Sequence, residues 1–393
     1  MKTNYNGTIN ACFVGYIVQA IVNNFVPLLF VTFGTQYGIP LSKITMLITI
    51  NFSLQLFVDF VSAFFIDKIG YRRSAVLAHW FAALGLLFLA VLPDMFADPY
   101  LGLLTAAVFY AVGGGLLEVI VSPIVEACPN EHKDKTMSML HSFYCWGMVG
   151  VILISTLFFA VFGISNWKFL AALWAIVPAA NAFVFTKVPI VPLTSEENGG
   201  LPLAKLVKSK IFWCFIVIMC CAGASEQSVS QWASAFCEKA LGISKSVGDI
   251  AGPALFAALM GLSRTIYGKF GEKINLDKMM IASGAACVAA YLIISVSKSP
   301  VLSLVGIALA GFSSGILWPG TFSRAAACIK SGGTAMFAFL ALAGDVGCAG
   351  GPTLSGKIAG LFGDNLKVGI LAAIVFPLLL TLLLFVMKKK EEK

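Results

Sequence analysis

The sequence predicts an all-α integral membrane protein, with twelve transmembrane helices in two pseudo-symmetric bundles of six. Three observations carry that expectation. Of 393 residues, 59% are hydrophobic and only 12% are charged, against about 25% charged in a soluble domain, which leaves too little polar surface to cover a compact body in water. The apolar residues run continuously for about twenty positions at a time, the length that crosses a bilayer as a helix; the strands of a β-barrel would alternate over about ten. The short intervals between these runs hold most of the lysine and arginine.

The runs fall at roughly 11–33, 43–66, 74–93, 100–127, 137–162 and 166–186. The longest polar interval follows, 187–210, with Pro189, Pro192, Glu196, Glu197, Gly199, Gly200 and Pro202. Six more runs lie at roughly 211–236, 247–268, 276–297, 300–328, 332–360 and 366–387. The expected organisation is therefore an N-terminal six-helix bundle (1–186), a cytoplasmic linker (187–210) and a C-terminal six-helix bundle (211–393). The segment Met1 to Asn10 carries one lysine, and the apolar run after it is too long for the core of a cleavable signal, so it reads as the first span.

Twelve spans put both termini on one side. If that side is the cytoplasm, only Lys43, Lys168, Lys239, Lys245, Lys298, Lys357 and Lys367 of the 27 basic residues fall outside. This is a strong positive-inside bias. The expected location is the cell (inner) membrane, multi-pass, with both termini cytoplasmic. The net charge of +8 then answers anionic lipid headgroups rather than nucleic acid.

The halves read as weak copies of one another. Gly38-Ile39-Pro40-Leu41-Ser42-Lys43 precedes the second span, and Gly242-Ile243-Ser244-Lys245 precedes the eighth, just over two hundred residues later. A duplicated six-span unit is the pattern of a transporter whose site lies between its two halves.

No cofactor or metal is expected. The ten cysteines are scattered among apolar residues without zinc-type spacing. Walker-type glycine loops and catalytic triads are absent, and none of the three histidines sits at mid-span. An enzyme would need convergent nucleophile, base or metal ligands near one face, and the mid-span acids are too dispersed for that.

The function is read from polar residues inside apolar runs, because a carboxylate at membrane depth is costly and turns to the bundle interior or a wet route. Glu118, Glu226 and Asp345 are such acids. Glu118 follows Gly113-Gly114-Gly115, which let another helix come close. Glu226 is flanked by Ser225, Gln227, Ser228, Ser230 and Gln231, and Asn23 and Asn24 hold the corresponding place in the first span. Gln55 and Asp59 share a helix face at i and i+4. Asn and Gln offer both donors and acceptors to hydroxyl groups, and Trp232, Trp318 and Trp146 can stack on a sugar ring. Trp167, at a span edge, reads as an interfacial anchor. Asp67, Gly70, Arg72 and Arg73 form a compact charged turn after the second span, suited to gating.

That turn, Ala63-Phe64-Phe65-Ile66-Asp67-Lys68-Ile69-Gly70-Tyr71-Arg72-Arg73, resembles the loop signature of the major facilitator superfamily, with Ala63 where the first glycine is usual. The second copy is degenerate, with Arg264 in the equivalent region. Within that superfamily the chain looks most like fucose-permease-type sugar/cation symporters. It carries Gly113-Gly114-Gly115-Leu116-Leu117-Glu118-Val119-Ile120-Val121-Ser122-Pro123 in the fourth span, with Ser122 for the usual Asn. Its first span carries Asn23-Asn24-Phe25-Val26-Pro27, with Asn24 where an aspartate is expected.

The resulting expectation is a secondary active transporter, a monomer among membrane lipids, importing a monosaccharide or similar small neutral hydroxylated solute with a proton or sodium. Substrate contact is expected at Asn23, Asn24, Gln55, Glu118, Glu226, Gln227, Gln231, Trp232 and Trp318. The coupling ion is expected at Glu118, Glu226, Asp59 or Asp345. Neutrality follows from reading no Lys or Arg at mid-span. The alternatives are efflux of amphipathic or cationic compounds, and facilitation without ion coupling.

Overall fold

A computed structural model describes residues 4–129, 133–191, 206–270, 274–329 and 333–391. The described residues are helical throughout, with no strand among them. The chain divides into two compact units, Met1–Ser195 and Glu196–Lys393.

The first unit holds α1 (Asn6–Asn24), α2 (Phe30–Tyr37), α3 (Leu41–Ile69), α4 (Tyr71–Met95), α5 (Pro99–Ala127), α6 (Lys133–Phe162) and α7 (Trp167–Lys187). α1 and α2 are one membrane segment broken by a 3-10 turn, Val26–Leu29, where Pro27 withholds a backbone donor. Gly38 stops α2 in the left-handed conformation at φ 65°, which glycine adopts without a Cβ clash. α5 starts on an Asp98 cap that accepts from Tyr100 N at 3.0 Å, with Pro99 in the first turn.

Small residues set how closely these helices approach. A Cβ on Gly113 would lie 2.5 Å from Ala82 N, and one on Gly115 would lie 3.0 Å from Gln55 Cα. α5 is therefore pressed against α4 on one side and α3 on the other. The predicted close approach at this glycine run is what the backbone shows.

The second unit holds α8 (Lys210–Ser230), α9 (Ala233–Lys239), α10 (Lys245–Asp249), α11 (Leu255–Phe270), α12 (Leu276–Val296), α13 (Pro300–Ser314), α14 (Leu317–Cys328), α15 (Gly333–Leu361), α16 (Leu366–Ala372) and α17 (Val375–Glu391). Its local devices echo the first unit. Gly242 closes α9 at φ 65° as Gly38 closes α2. Ser299 caps α13 just before Pro300, as Asp98 caps α5 before Pro99. Lys367, in the first turn of α16, donates to Ser297 O at 2.7 Å beyond the end of α12. Its counterpart Lys168, in the first turn of α7, bonds Asp94 near the end of α4. The weak sequence repeat is thus a repeat of caps, turns and end-to-end ties.

Eleven helical segments among the described residues are long and apolar enough to cross a membrane, where the sequence suggested twelve. The segment expected at 332–360 is a single helix of 29 residues, α15, but it is not among the eleven. The protein is a multi-pass integral membrane protein.

Trp167 departs from expectation. It is fully buried, edge-on to Phe33, and donates Nε1–H to Gln36 Oε1 at 2.9 Å. An amphipathic ring at a span edge suits the interface, but here a neighbouring amide satisfies its N–H inside the unit.

Candidate functional site

Each unit carries one polar face at membrane depth. In the first unit the face is built by α1, α3 and α5. Asn23 Oδ1 accepts from Gln55 Nε2 at 2.9 Å and from Asn51 Nδ2 at 3.3 Å, and Gln55 Nε2 also reaches Asn51 Oδ1 at 3.0 Å. One turn earlier on α1, Gln19 Nε2 donates to Glu118 Oε2 at 2.8 Å. Glu118 is half-buried, and its carboxylate lies within 4.8 Å of Asp59, which projects from α3 one turn beyond Gln55. Tyr16 and Ser122 hydroxyls meet at 3.0 Å at the next level. The glycines of α5 put the Gln55 amide and the Glu118 carboxyl on one continuous face. A Cβ on Gly114 would sit 3.3 Å from Gln55 Oε1.

Neighbouring asparagines diverge, because successive residues on a helix point about 100° apart. Asn24 folds back to donate to Ala20 O at 2.9 Å and reaches Tyr144 OH on α6 at 3.5 Å. Asn23 joins the α3 network and Asn24 does not.

In the second unit, α8 breaks just after its polar run. Glu226 Oε1 accepts from Gln227 Nε2 at 3.2 Å, and Gln227 Oε1 accepts from Gln231 Nε2 at 3.0 Å. The ladder ends at the turn before α9. The other Glu226 oxygen, Oε2, pairs with Arg264 Nη2 of α11 at 3.1 Å, while Arg264 Nε donates to Gly315 O at 3.1 Å in the break between α13 and α14. This corrects the reading that no basic group reaches the polar segments. Arg264 lies near the end of a span in sequence, but its long side chain returns to the carboxylate at depth. The argument for a neutral substrate loses its basis with it.

The tryptophans separate. Trp232 is fully buried and donates Nε1–H to Pro352 O at 3.0 Å, tying the turn between α8 and α9 to α15. Trp146 is 54% exposed. Trp318 stands over Gly344, whose Cβ would meet its ring at 2.1 Å, and it is edge-on to Phe322. Asp345, the next residue, is buried on α15.

Of the gating set, Gly70 is the φ +89° junction between α3 and α4. Arg72 Nη1 donates to Phe185 O and Thr186 O at 2.8 and 2.9 Å, tying the start of α4 to the carboxyl end of α7, where a cation is favoured. The Asp67 side chain lies outside the described residues, as do those of the linker at 192–205.

Two clusters escaped the sequence reading. His79 is fully buried, with Nδ1 at 2.7 Å from Ala75 O and Nε2 at 2.7 Å from Asn181 Nδ2. Asn181 Nδ2 also donates to Ala11 O at 2.9 Å, so the ring donates through Nδ1 and accepts through Nε2, joining α4, α7 and α1. In the second unit Lys245 pairs with Asp249 at 3.0 Å and Glu238 at 3.1 Å, and Ser234 donates to Asp249 at 2.5 Å. No local motif marks either cluster; both depend on tertiary contacts or on turn geometry.

Comparisons with known proteins agree with this architecture. No match was found among curated proteins. Among solved structures, a bacterial homologue of the human lysosomal transporter Spinster, inward-facing and occupied, superposes with TM-score 0.75 at 13% identity, covering 99% of this chain and 98% of the other. The unoccupied form gives 0.76 at 14% identity, covering 99% and 98%. The E. coli fucose:proton symporter gives 0.65 at 14% identity, covering 97% and 98%. Likeness to two such different transporters shows the fold and does not single out the fucose-permease type. Residues 12–352 match the model of the Major Facilitator Superfamily, and the chain belongs to that family, a membrane transporter rather than an enzyme.

Proposed function

We propose that this protein is a secondary active transporter that imports a monosaccharide or similar small hydroxylated solute with a cation, by alternating access. In this reading α15 is a further span, giving twelve in two six-helix halves joined by 187–210, with both termini cytoplasmic. The observation that supports it is the pair of amide–carboxyl networks, Asn23–Asn51–Gln55 with Gln19–Glu118, and Glu226–Gln227–Gln231. Each lies beside a break in its span. Such networks supply paired donors and acceptors, the chemistry that replaces water around hydroxyl groups. The fucose-permease-like features of the sequence fit the same reading.

For coupling, Glu118, beside Asp59, and Glu226 are the candidate proton carriers. Sodium is the rival, since Gln19 Oε1 is buried without a hydrogen-bond partner beside Glu118 and offers a further oxygen. Substrate exchange across proteoliposomes, measured against a panel of monosaccharides and cationic amphipaths, tests the substrate class. Exchange of a sugar that is slowed in Gln55→Ala and Gln231→Ala supports the reading. Exchange of cationic amphipaths alone overturns it.

A further inference from the structure

The Glu226–Arg264 pair is an arginine at membrane depth held by an acid on the same face as the amide ladder. We propose that Arg264 receives an anionic group of the substrate, a sugar-acid carboxylate, in exchange for Glu226, and that the displaced Glu226 takes up the coupling proton. The proposal rests on the reading of this face as part of the substrate site, and it names the substrate class.

Three features carry it. First, charge balance limits what can open the pair. Removing one partner of a buried ion pair leaves the other charge uncompensated, which is strongly unfavourable. A neutral sugar that separated Glu226 from Arg264 would incur that cost, whereas a carboxylate replaces Glu226 in kind. Second, the guanidinium is a planar fork that matches a carboxylate in two parallel hydrogen bonds. Its Nε–H bond to Gly315 O holds the guanidinium plane through a nitrogen other than the one that pairs with Glu226. Third, the two side chains are largely but not fully buried, at 18% and 9% exposed, and the amides of Gln227 and Gln231 bond onward from Glu226 as ready hydroxyl partners.

The proton balance follows directly. Before binding, Glu226 and Arg264 cancel. After binding, the substrate carboxylate and Arg264 cancel, and Glu226 is neutral only if it gains one proton from water. One anion moves with one proton, and the cycle is electroneutral. The other charged or titratable groups on elements packed against α8 are engaged elsewhere or lie off the ladder. Arg324 of α14 is paired with Asp277 at 2.5 Å. Tyr291 of α12 donates its hydroxyl to Ser225 O at 2.7 Å. Asp345 of α15 is buried, next to Gly344 at the crossing with Gly223, one turn before Glu226 on α8. Lys388, near the end of α17, lies beyond the apolar run.

The test uses the full-length protein, with D-glucuronate and D-galacturonate as probes against their neutral parents, D-glucose and D-galactose. Binding is measured by calorimetry in two buffers of different ionisation enthalpy, and uptake in proteoliposomes under an imposed pH gradient or an imposed potassium-diffusion potential. The expected result is uronate binding at least about tenfold tighter than the parent sugar, with one proton taken up per anion. Uptake is driven by the pH gradient and indifferent to the potential. Arg264→Gln loses uronate binding, and Glu226→Gln binds uronate without proton uptake. The double variant E226Q/R264Q, which keeps the site neutral, separates lost binding from lost folding. Equal binding of uronates and parents, or uronate binding with no proton uptake in the wild type, overturns the proposal and leaves the pair a structural tie. Uptake of parents but not uronates sinks this inference alone. Uptake of neither sinks the hydroxylated-solute reading with it.

Discussion

Two glycines on α15, three residues apart, make opposite predictions. A Cβ on Gly347 would lie 1.9 Å from Cys220 O and 2.8 Å from Ala224 N of α8, while one on Gly350 meets nothing within 4 Å. Ordinary contact begins near 3.4 Å, so Gly347→Ala forces α8 and α15 apart by about 1.5 Å against backbone that has no rotamer to yield. Overpacking of this kind costs about 1–3 kcal/mol. It is offset in part by the helix preference of Ala over Gly, about 1 kcal/mol. Gly350→Ala gains the preference without the clash. Apparent thermal stability of the purified protein in detergent, followed by intrinsic fluorescence, reads the difference. G347A is expected to melt several degrees below wild type, and G350A at or above it. Because α8 carries Glu226 and Gln227, G347A is also expected to weaken substrate binding. Equal melting of the two variants would refute the close crossing on which the second unit's polar face is built.

Three other substitutions follow from the contacts. His79→Ala leaves Asn181 without its ring acceptor inside the unit and removes a buried ring, so about 2–4 kcal/mol of stability is lost. His79→Gln, which can still accept from Asn181, recovers part of it in the same melt. Arg72→Ala frees the carbonyls of Phe185 and Thr186, costing about 1–2 kcal/mol and slowing transport. Arg72→Lys recovers part of it, because both bonds come from one guanidinium nitrogen and an ammonium also carries several donors. Trp232→Phe keeps most of the packing but loses the indole bond to Pro352 O, and lowers stability by about 1 kcal/mol while leaving sugar specificity unchanged. A shift in specificity would return Trp232 to the substrate wall.

The fold class and the depth of the acids were legible because they rest on length and local composition. The continuous apolar runs, the glycines before Glu118 and the paired Gly38 and Gly242 turns are all short-range signals. The site was legible only in part. Gln55 and Asp59 share a face because helix periodicity puts them there, and that face does meet Asn23 and Glu118. Asn24 neighbours Asn23 in sequence, but one step along a helix turns its side chain toward Ala20 O and Tyr144. Arg264 was read as a loop charge because linear position stops at Cα, while its guanidinium returns to Glu226. His79 and Asn181 stand 102 residues apart, and no local pattern announces such a pair. Trp167 and Trp232 were read from their places at a span edge and near a polar run, but the partner that satisfies each N–H was supplied by tertiary packing.

The most direct test of the transport claim is accumulation of a labelled monosaccharide or hexuronate in proteoliposomes with an acid exterior, read in parallel with an imposed sodium gradient. The account predicts transient accumulation above the external concentration under the pH gradient. A protonophore abolishes it, and so does Glu118→Gln or Glu226→Gln, while each variant still exchanges substrate down its gradient. The contradictory result is accumulation in both variants with unchanged proton flux, or no sugar uptake under either gradient while a cationic amphipath is moved instead.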